Sequence, residues 1–241
     1  MIDMARLLFI PALAAMLTGC AATLPTYEPM EAREAWRVVA ERIEAIESVR
    51  AEADATLSGP DASSLRVDGV LLLRAPNGTR LRAWKLGHAV LDLTATGEGV
   101  WFDSASPPDG TDETTFGVGP DELAEGLALL GGWRYEANVP TRAERVGDCY
   151  EFDCPTESGT VRCVVDGSAL VPLSLSRAGP DVTEFSLELD RYRLVGDTPW
   201  PQRARLEAGD RSILLVFRDV TLNEPLPAGA FAPPSTAERI R

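Results

Sequence analysis

Histidine is almost absent from this sequence, since His88 is the only one among 241 residues. A catalytic triad or a histidine-rich metal site needs more than one imidazole. The motifs GxSxG, HExxH, GxxxxGK and GxGxxG are also missing. Carboxylates are abundant, which leaves a two-carboxylate hydrolase open, but no spacing singles out a pair. The sequence therefore favours a protein that is not an enzyme, and it predicts no metal and no cofactor.

Basic residues are scarce: 23 Lys and Arg stand against 37 Asp and Glu, and the formal net charge is −14. A chain this acidic is repelled by nucleic-acid phosphates and by anionic lipid head groups. We therefore expect no nucleic-acid partner. Any attachment to a membrane should come from a lipid rather than from a basic patch.

Long apolar runs are missing too, except for residues 7–17 near the start. That run is too short to span a bilayer, which takes about 20 residues, and has the length of a signal-peptide core. It ends in Leu17-Thr18-Gly19-Cys20, a lipobox, which predicts cleavage after residue 19 and a diacylglycerol and acyl groups on Cys20. The alternative is a leader that is cut at an ordinary small-residue site. Residues 20–27, rich in small residues and proline, are predicted to be a lipidated tether.

The lipobox places the protein in a bacterial cell envelope. Ala21 follows the cysteine, whereas an Asp at that position retains a lipoprotein in the inner membrane under the enterobacterial sorting rule. We therefore expect the protein on the periplasmic side of the outer membrane.

Only three cysteines follow Cys20, and the envelope permits disulfides. Cys154 and Cys163 flank a predicted turn between two strands and could face each other as a disulfide. Buried free thiols are the alternative. A metal site fits poorly, because no histidine lies near these residues or Cys149.

Hydrophobic periodicity predicts a mainly β fold with two helices. Residues 28–47 show helical spacing, and residues 120–130 form a short helix with a proline in its first turn. The rest alternates with a period of two, which predicts about eleven strands in one curled antiparallel sheet, an unclosed β-barrel. We expect one domain over residues 28–241. The predicted strands are 49–57, 65–74, 79–86, 88–96, 100–102, 146–154, 160–166, 170–177, 182–192, 200–208 and 212–223.

Two predicted strands are apolar on both faces, at residues 70–73 and 213–217. An antiparallel sheet in water usually has one dry and one wet face. We therefore expect the N-terminal helix to cover one face, and the short helix or a bound apolar ligand to cover the other.

The order of these elements, with several short motifs, resembles the Lol-type lipoprotein carriers, the LolA/LolB family. Residues 71–107 carry most of the likeness, in LLRAPNGTRLRAW followed by TGEGVWFDSASP. The end of the chain, Phe231-Ala232-Pro233-Pro234, is similar to the closing Phe-x-Pro-Pro of the family. The layout covers most of residues 28–234.

The resemblance implies a hollow, apolar inner side that holds acyl chains of lipoproteins or other lipids, under a lid helix at residues 120–130. It implies that Arg74, in the Arg-x-Pro motif, tethers the lid; a solvated arginine is the alternative. The residues that it suggests for lipid binding, with ordinary core packing as the alternative for the apolar ones, are Arg74, Trp84, Trp101, Leu123, Leu127, Leu130 and Phe217.

Two functions remain open on the sequence. The first is a lipid-anchored, non-catalytic carrier or receptor that binds acyl chains in an apolar cavity. The second is a structural or assembly lipoprotein that docks an envelope protein complex on the same sheet. Fold alone does not decide between them.

Overall fold

A computed structural model describes residues 23–59, 64–103, 120–131, 139–156, 159–179 and 182–240. The predicted signal peptide and Cys20 lie outside this part of the chain. The described residues form two helices, α1 (Ala32–Glu44) and α2 (Pro120–Leu130), and fifteen strands. The strands are β1 (Ser48–Ser58), β2 (Ser64–Arg74), β3 (Gly78–Lys85), β4 (His88–Thr96), β5 (Gly99–Asp103), β6 (Arg142–Val146), β7 (Cys149–Thr156), β8 (Gly159–Asp166), β9 (Pro172–Gly179), β10 (Val182–Asp190), β11 (Arg193–Val195), β12 (Thr198–Trp200), β13 (Arg203–Ala208), β14 (Arg211–Leu222) and β15 (Glu238–Arg239).

Thirteen strands form one antiparallel sheet in the order β15-β5-β4-β3-β2-β1-β14-β13-β10-β9-β8-β7-β6, and β11 and β12 form a separate ribbon. The sheet does not close, because its end strands β15 and β6 are not neighbours. The predicted single curled sheet is therefore confirmed. The strands that sequence analysis did not identify are the charged edge strand β6 and the very short β11, β12 and β15, whose two to five residues are too few for periodicity to show.

Strand β1 at the middle of the sheet shows how the two faces differ. Val49, Ala51, Ala53, Ala55 and Leu57 are buried, while the residues between them are partly or fully exposed. Directly paired residues of an antiparallel sheet share a face. One dry face, called the concave face below, therefore runs across the sheet through pairs that include Ala53–Phe217, Ala55–Leu215, Ile213–Leu206, Leu187–Leu206, Leu175–Leu187, Leu175–Cys163 and Cys163–Phe152.

Both helices cover this concave face. The Trp36 ring of α1 lies 4.9 Å from the Phe152 ring, and Gly126 of α2 lies against the side chain of Leu206. Phe152 and Leu206 share a face through the pairs given above. The expectation that the helices lie on opposite faces was therefore wrong. No helix of the described residues is long and apolar enough to cross a membrane.

The sheet curls around α2. This helix contacts β3, β4 and β5 on one arm of the sheet and β10 and β13 on the other. Strands β3 and β10 are five positions apart in the sheet, about 24 Å if it were flat. A helix is only about 10 Å across, so contact with both arms requires the sheet to bend. The result is a hollow with α2 inside it.

The opposite face, called the convex face, carries no helix within the described ranges. Val70, Leu72 and Leu214 are half-buried there and Val216 is exposed, so the centre of this face is open despite its apolar residues. Charged side chains surround them; for example, Arg218 pairs with Asp54 at 3.1 Å and with Asp68 at 3.0 Å. On the convex face, charged side chains thus surround the apolar residues, where we expected a second helix or a bound ligand to cover them.

The C-terminal segment covers the convex face at one arm. Phe231 lies against Gly78, and the Ala230 carbonyl accepts a hydrogen bond of 2.9 Å from Arg80. Arg80 also binds both carboxylate oxygens of the buried Asp92, at 2.9 and 2.8 Å. The segment ends as β15, which pairs with β5. The C-terminal segment thus completes an edge of the sheet.

Candidate functional site in the hollow of the sheet

Small residues line the middle of the concave face. Ala51, Ala53, Ala55 and Ala83 are at most 2% exposed, and Gly69 pairs with both Ala53 and Ala83. Side chains this short leave space above the sheet, which α2 enters. Its Gly126 is so close to Leu206 that a Cβ at this position would lie 2.6 Å from a Leu206 methyl carbon.

Helix α2 is buried almost all round over residues 123–130. Leu123, Ala124, Leu127, Leu129 and Leu130 are at most 7% exposed, and only Glu125 is partly exposed. A helix that is apolar all round belongs to a core. The structure therefore places the predicted residues Leu123, Leu127 and Leu130 in the hollow, in a helix that fills the space rather than resting on its rim.

A single described ion pair joins α2 to the sheet. Arg177 of β9 is 6% exposed, and its Nη1 lies 2.5 Å from Oε2 of Glu125. The guanidinium also lies 4.8 Å from the Phe185 ring. Arg177 was not predicted from the sequence, although its spacing of two from the buried Leu175 indicates that it points inward.

The predicted aromatic residues divide between the two faces. Phe217 is on the concave face, 4% exposed, with its ring 6.1 Å from that of Trp200. Trp84 pairs with Asp68 and Trp101 pairs with Thr94, and both pairs lie on the convex face. The expectation that Trp84 and Trp101 line the hollow was therefore wrong, because alternation along each strand turns them outward.

Arg74 contacts the C-terminal segment in this structure. Its guanidinium lies 4.6 Å from the Phe231 ring, on the convex face. The described arginine that holds α2 is Arg177 instead. A role for Arg74 in lipid binding stays a prediction.

Two cavities that are lined by described residues lie away from α2. One, of about 50 Å³, lies between α1, residues 170–172 and the β11–β12 ribbon, and has room for roughly four waters. The other, of about 610 Å³, is an open groove between residues 29–32 and β6, and its lining is mostly polar. In this conformation, α2 itself occupies the space predicted for an acyl chain.

The possible disulfide between Cys154 and Cys163 is not present, since both thiols are free. Cys154 pairs with Val161, and Cys163 pairs with Phe152, so the two cysteines are diagonal neighbours. Diagonal Cα atoms are about 7–8 Å apart, whereas a disulfide needs about 4.4–6.8 Å. Burial raises the pKa of Cys154 to about 12 and raises that of Cys163 further. Both are therefore neutral thiols near neutral pH.

No protein-family model and no curated protein sequence matches the chain. Solved structures do match it. A LolA superfamily protein from Nitrosomonas europaea is 16% identical and covers 84% of this chain and 98% of its own, with a TM-score of 0.57. A DUF1329 family protein from Desulfovibrio piger is 12% identical over 84% and 98%, with a TM-score of 0.59. An outer membrane lipoprotein-sorting protein domain from Vibrio parahaemolyticus, described as putative, is 11% identical over 83% and 96%, with a TM-score of 0.51.

Proposed function

We propose that this chain, which has the LolA/LolB-like fold, binds acyl chains of lipoproteins or lipids on its concave face and catalyses no reaction. The observation that carries this proposal is the occupied hollow. An apolar helix lies between two arms of a curled sheet, and the central strand β1 carries small residues on the same concave face. An acyl chain has the same chemistry as the side chains that α2 now places there.

The free energies of burying an acyl chain and of exposing α2 indicate whether the ligand can expel the helix from the hollow. A C16 chain gains about 0.8 kcal/mol per buried methylene, or on the order of 10 kcal/mol before ordering costs. Exposing the four buried leucines of α2 would cost about 6–12 kcal/mol at about 1.5–3 kcal/mol each. Complete expulsion of α2 would therefore cancel the gain. We infer that α2 moves outward and then covers the ligand, so that its apolar residues stay dry.

The proposal includes attachment to the membrane. Lipid groups on Cys20, after cleavage of residues 1–19, would tether the body on the periplasmic side of the outer membrane. The described chain is fixed from Tyr27 onward, because Tyr27 N donates to the Ser168 carbonyl at 2.8 Å. We therefore propose that residues 20–26 form the tether, one residue fewer than the sequence predicts.

A reversible crosslink between α2 and the sheet tests acyl binding. The pair Gly126→Cys and Leu206→Cys uses the close approach of α2 to β13 at these two positions. The oxidised double variant should take up no photoreactive palmitate, and reduction should restore labelling. Uptake that is equal in both states, with the crosslink verified by mass spectrometry, would contradict the proposal.

Two controls accompany this experiment. Each single cysteine variant should label equally in both redox states, which separates the crosslink from oxidation of Cys149, Cys154 or Cys163. In parallel, lipids extracted from the purified chain should include acyl-chain species. For the anchor, Cys20→Ser should abolish incorporation of labelled palmitate into the protein in growing cells.

A second candidate is a docking protein for an envelope complex. Leu86, at the tip of the β3–β4 hairpin, is 92% exposed, and the half-buried aliphatic residues on the convex face are open to a partner. Crosslinking in cells from a photoreactive residue at position 86 should then give one stable protein adduct. Absence of any adduct there, with acyl uptake intact, would leave the carrier as the function.

A further inference from the structure

Arg177 is a charged side chain in apolar surroundings. It points from β9 into the hollow, where its paired neighbours are Val161 on one side and Phe185 on the other. Only 6% of it is exposed. A guanidinium stays charged at any physiological pH, so burial makes it depend on an anionic or hydrogen-bonding partner.

The described carboxylate partner belongs to α2. Glu125 Oε2 lies 2.5 Å from Nη1 of Arg177. The buried Nε of Arg177 has no acceptor within the described part of the chain. With α2 in the hollow, the Nε–H of Arg177 is therefore a hydrogen-bond donor without an acceptor among the described residues. If α2 moves outward, Glu125 moves away and Arg177 also loses its described carboxylate partner.

That movement decides which ligands the hollow can accept. A neutral acyl chain would leave the guanidinium buried beside hydrocarbon with no counter-charge, which is strongly unfavourable. An acyl chain with a terminal carboxylate would supply both the methylenes and the anion. The planar guanidinium can then donate from Nε and a terminal nitrogen to the two oxygens of one carboxylate.

We propose, resting on the function proposed above, that the ligand is a long-chain carboxylic acid whose carboxylate replaces that of Glu125 on Arg177. In the absence of ligand, the Glu125 carboxylate occupies the position of the ligand carboxylate, and the leucines of α2 occupy the position of its hydrocarbon chain. The ligand is selected by its charge as well as by its chain.

A pair of ligands that differ only in charge tests this. The full chain, purified in a nonionic detergent, is labelled with photoreactive palmitate at mildly alkaline pH, in competition with palmitate or methyl palmitate. Palmitate should compete roughly ten- to hundredfold better than the ester, the range for a hydrogen bond to a charged group. Equal competition by the two would overturn the proposal.

Variants assign the difference to Arg177. Arg177→Gln should remove the preference for the acid, whereas Arg205→Gln, an arginine of the convex face paired with Glu207 at 2.7 Å, should retain it. If Arg177→Gln does not fold, Glu125→Gln serves instead. It removes the competing carboxylate, so palmitate should bind more tightly, and weaker or unchanged binding would overturn the proposal.

A third competitor separates the two sources of an anionic head. Phosphatidate carries a phosphate in place of the carboxylate. Competition by phosphatidate but not by palmitate would overturn the assignment of a carboxylic acid while leaving acyl binding intact. Failure of every acyl compound to compete would instead remove the proposed function itself.

Discussion

Helix α1 has a wet side and a dry side, whereas α2 has almost no wet side within residues 123–130. In α1, Ala35, Trp36, Val39 and Ile43 form one buried stripe, and Arg37 and Glu41 pair in solvent at 3.0 Å. In α2, the buried residues surround the helix axis, and Glu125 makes the described ion pair to the sheet. Both helices cover the concave face, but α1 is amphipathic and α2 is buried on almost all sides.

The attachments of the two helices differ in the same way. Arg42 of α1 donates to the carbonyls of Ala169 at 3.0 Å and Leu170 at 2.9 Å, and to the Tyr27 hydroxyl at 2.6 Å. Two of these three acceptors are backbone carbonyls, so Arg42 attaches α1 to the backbone that follows β8. Helix α2 is held by apolar packing and a carboxylate, both of which a fatty acid can imitate. We infer that α1 is a permanent cover and that α2 is the exchangeable one.

Removing the Trp36 side chain should have the largest effect on stability. Trp36 is 7% exposed and packs against Phe152, so Trp36→Ala should cost about 3–5 kcal/mol of unfolding free energy. Chemical denaturation measures the loss, and palmitate uptake per folded molecule should not change. Trp84→Ala, on the convex face, should cost clearly less. Equal costs for the two tryptophans would contradict the role given to α1.

Breaking the polar attachment of α1 should have the next effect. Arg42→Ala removes three part-buried hydrogen bonds from a charged donor. A bond to a charged group contributes about 1.5–3 kcal/mol, and solvent lowers this at a part-buried site, so the variant should lose about 3 kcal/mol of unfolding free energy. Arg37→Ala is the matched control, because its exposed ion pair is worth under about 1 kcal/mol. If both variants unfold at the same denaturant concentration, α1 is not held through Arg42.

Pushing α2 outward should cost less but raise binding. Gly126→Val places side-chain atoms where Leu206 now lies, and such overpacking costs about 1–3 kcal/mol. Because the closed state loses that energy, palmitate uptake should increase. The penalty should shrink in a Leu206→Ala background, as a double-mutant cycle would measure. Reduced uptake would indicate that α2 is part of the permanent core.

Sequence periodicity predicted the sheet and both helices, because alternation and helical spacing are local signals. The position of Phe217 in the hollow was suggested by the resemblance to the LolA/LolB family instead. Periodicity could not show that both helices share one face, since that depends on the register of the four strand pairings between β7 and β13. Trp84 and Trp101 were placed on the wrong face for a related reason. Their size suggested that they line the hollow, but the alternation of side chains along their strands points them to the convex face. Arg177 was missed because its partner lies 52 residues away in the sequence.

Thiol labelling can separate the two helices without changing either. Cys163 pairs with Phe152, and the Phe152 ring packs against Trp36, so this thiol lies on the arm of the sheet that α1 covers. Burial raises the pKa of Cys163 and of Cys154, so near neutral pH both should react with iodoacetamide only when that arm opens. Trp36→Ala should therefore accelerate their labelling, whereas palmitate should leave the rate unchanged, because the ligand displaces α2 alone.

Cys149, which is less buried, serves as the internal reference in the same mass spectrum. Faster labelling of Cys163 on addition of palmitate would mean that the two helices move as one unit, and the contrast between a permanent and an exchangeable cover would fail.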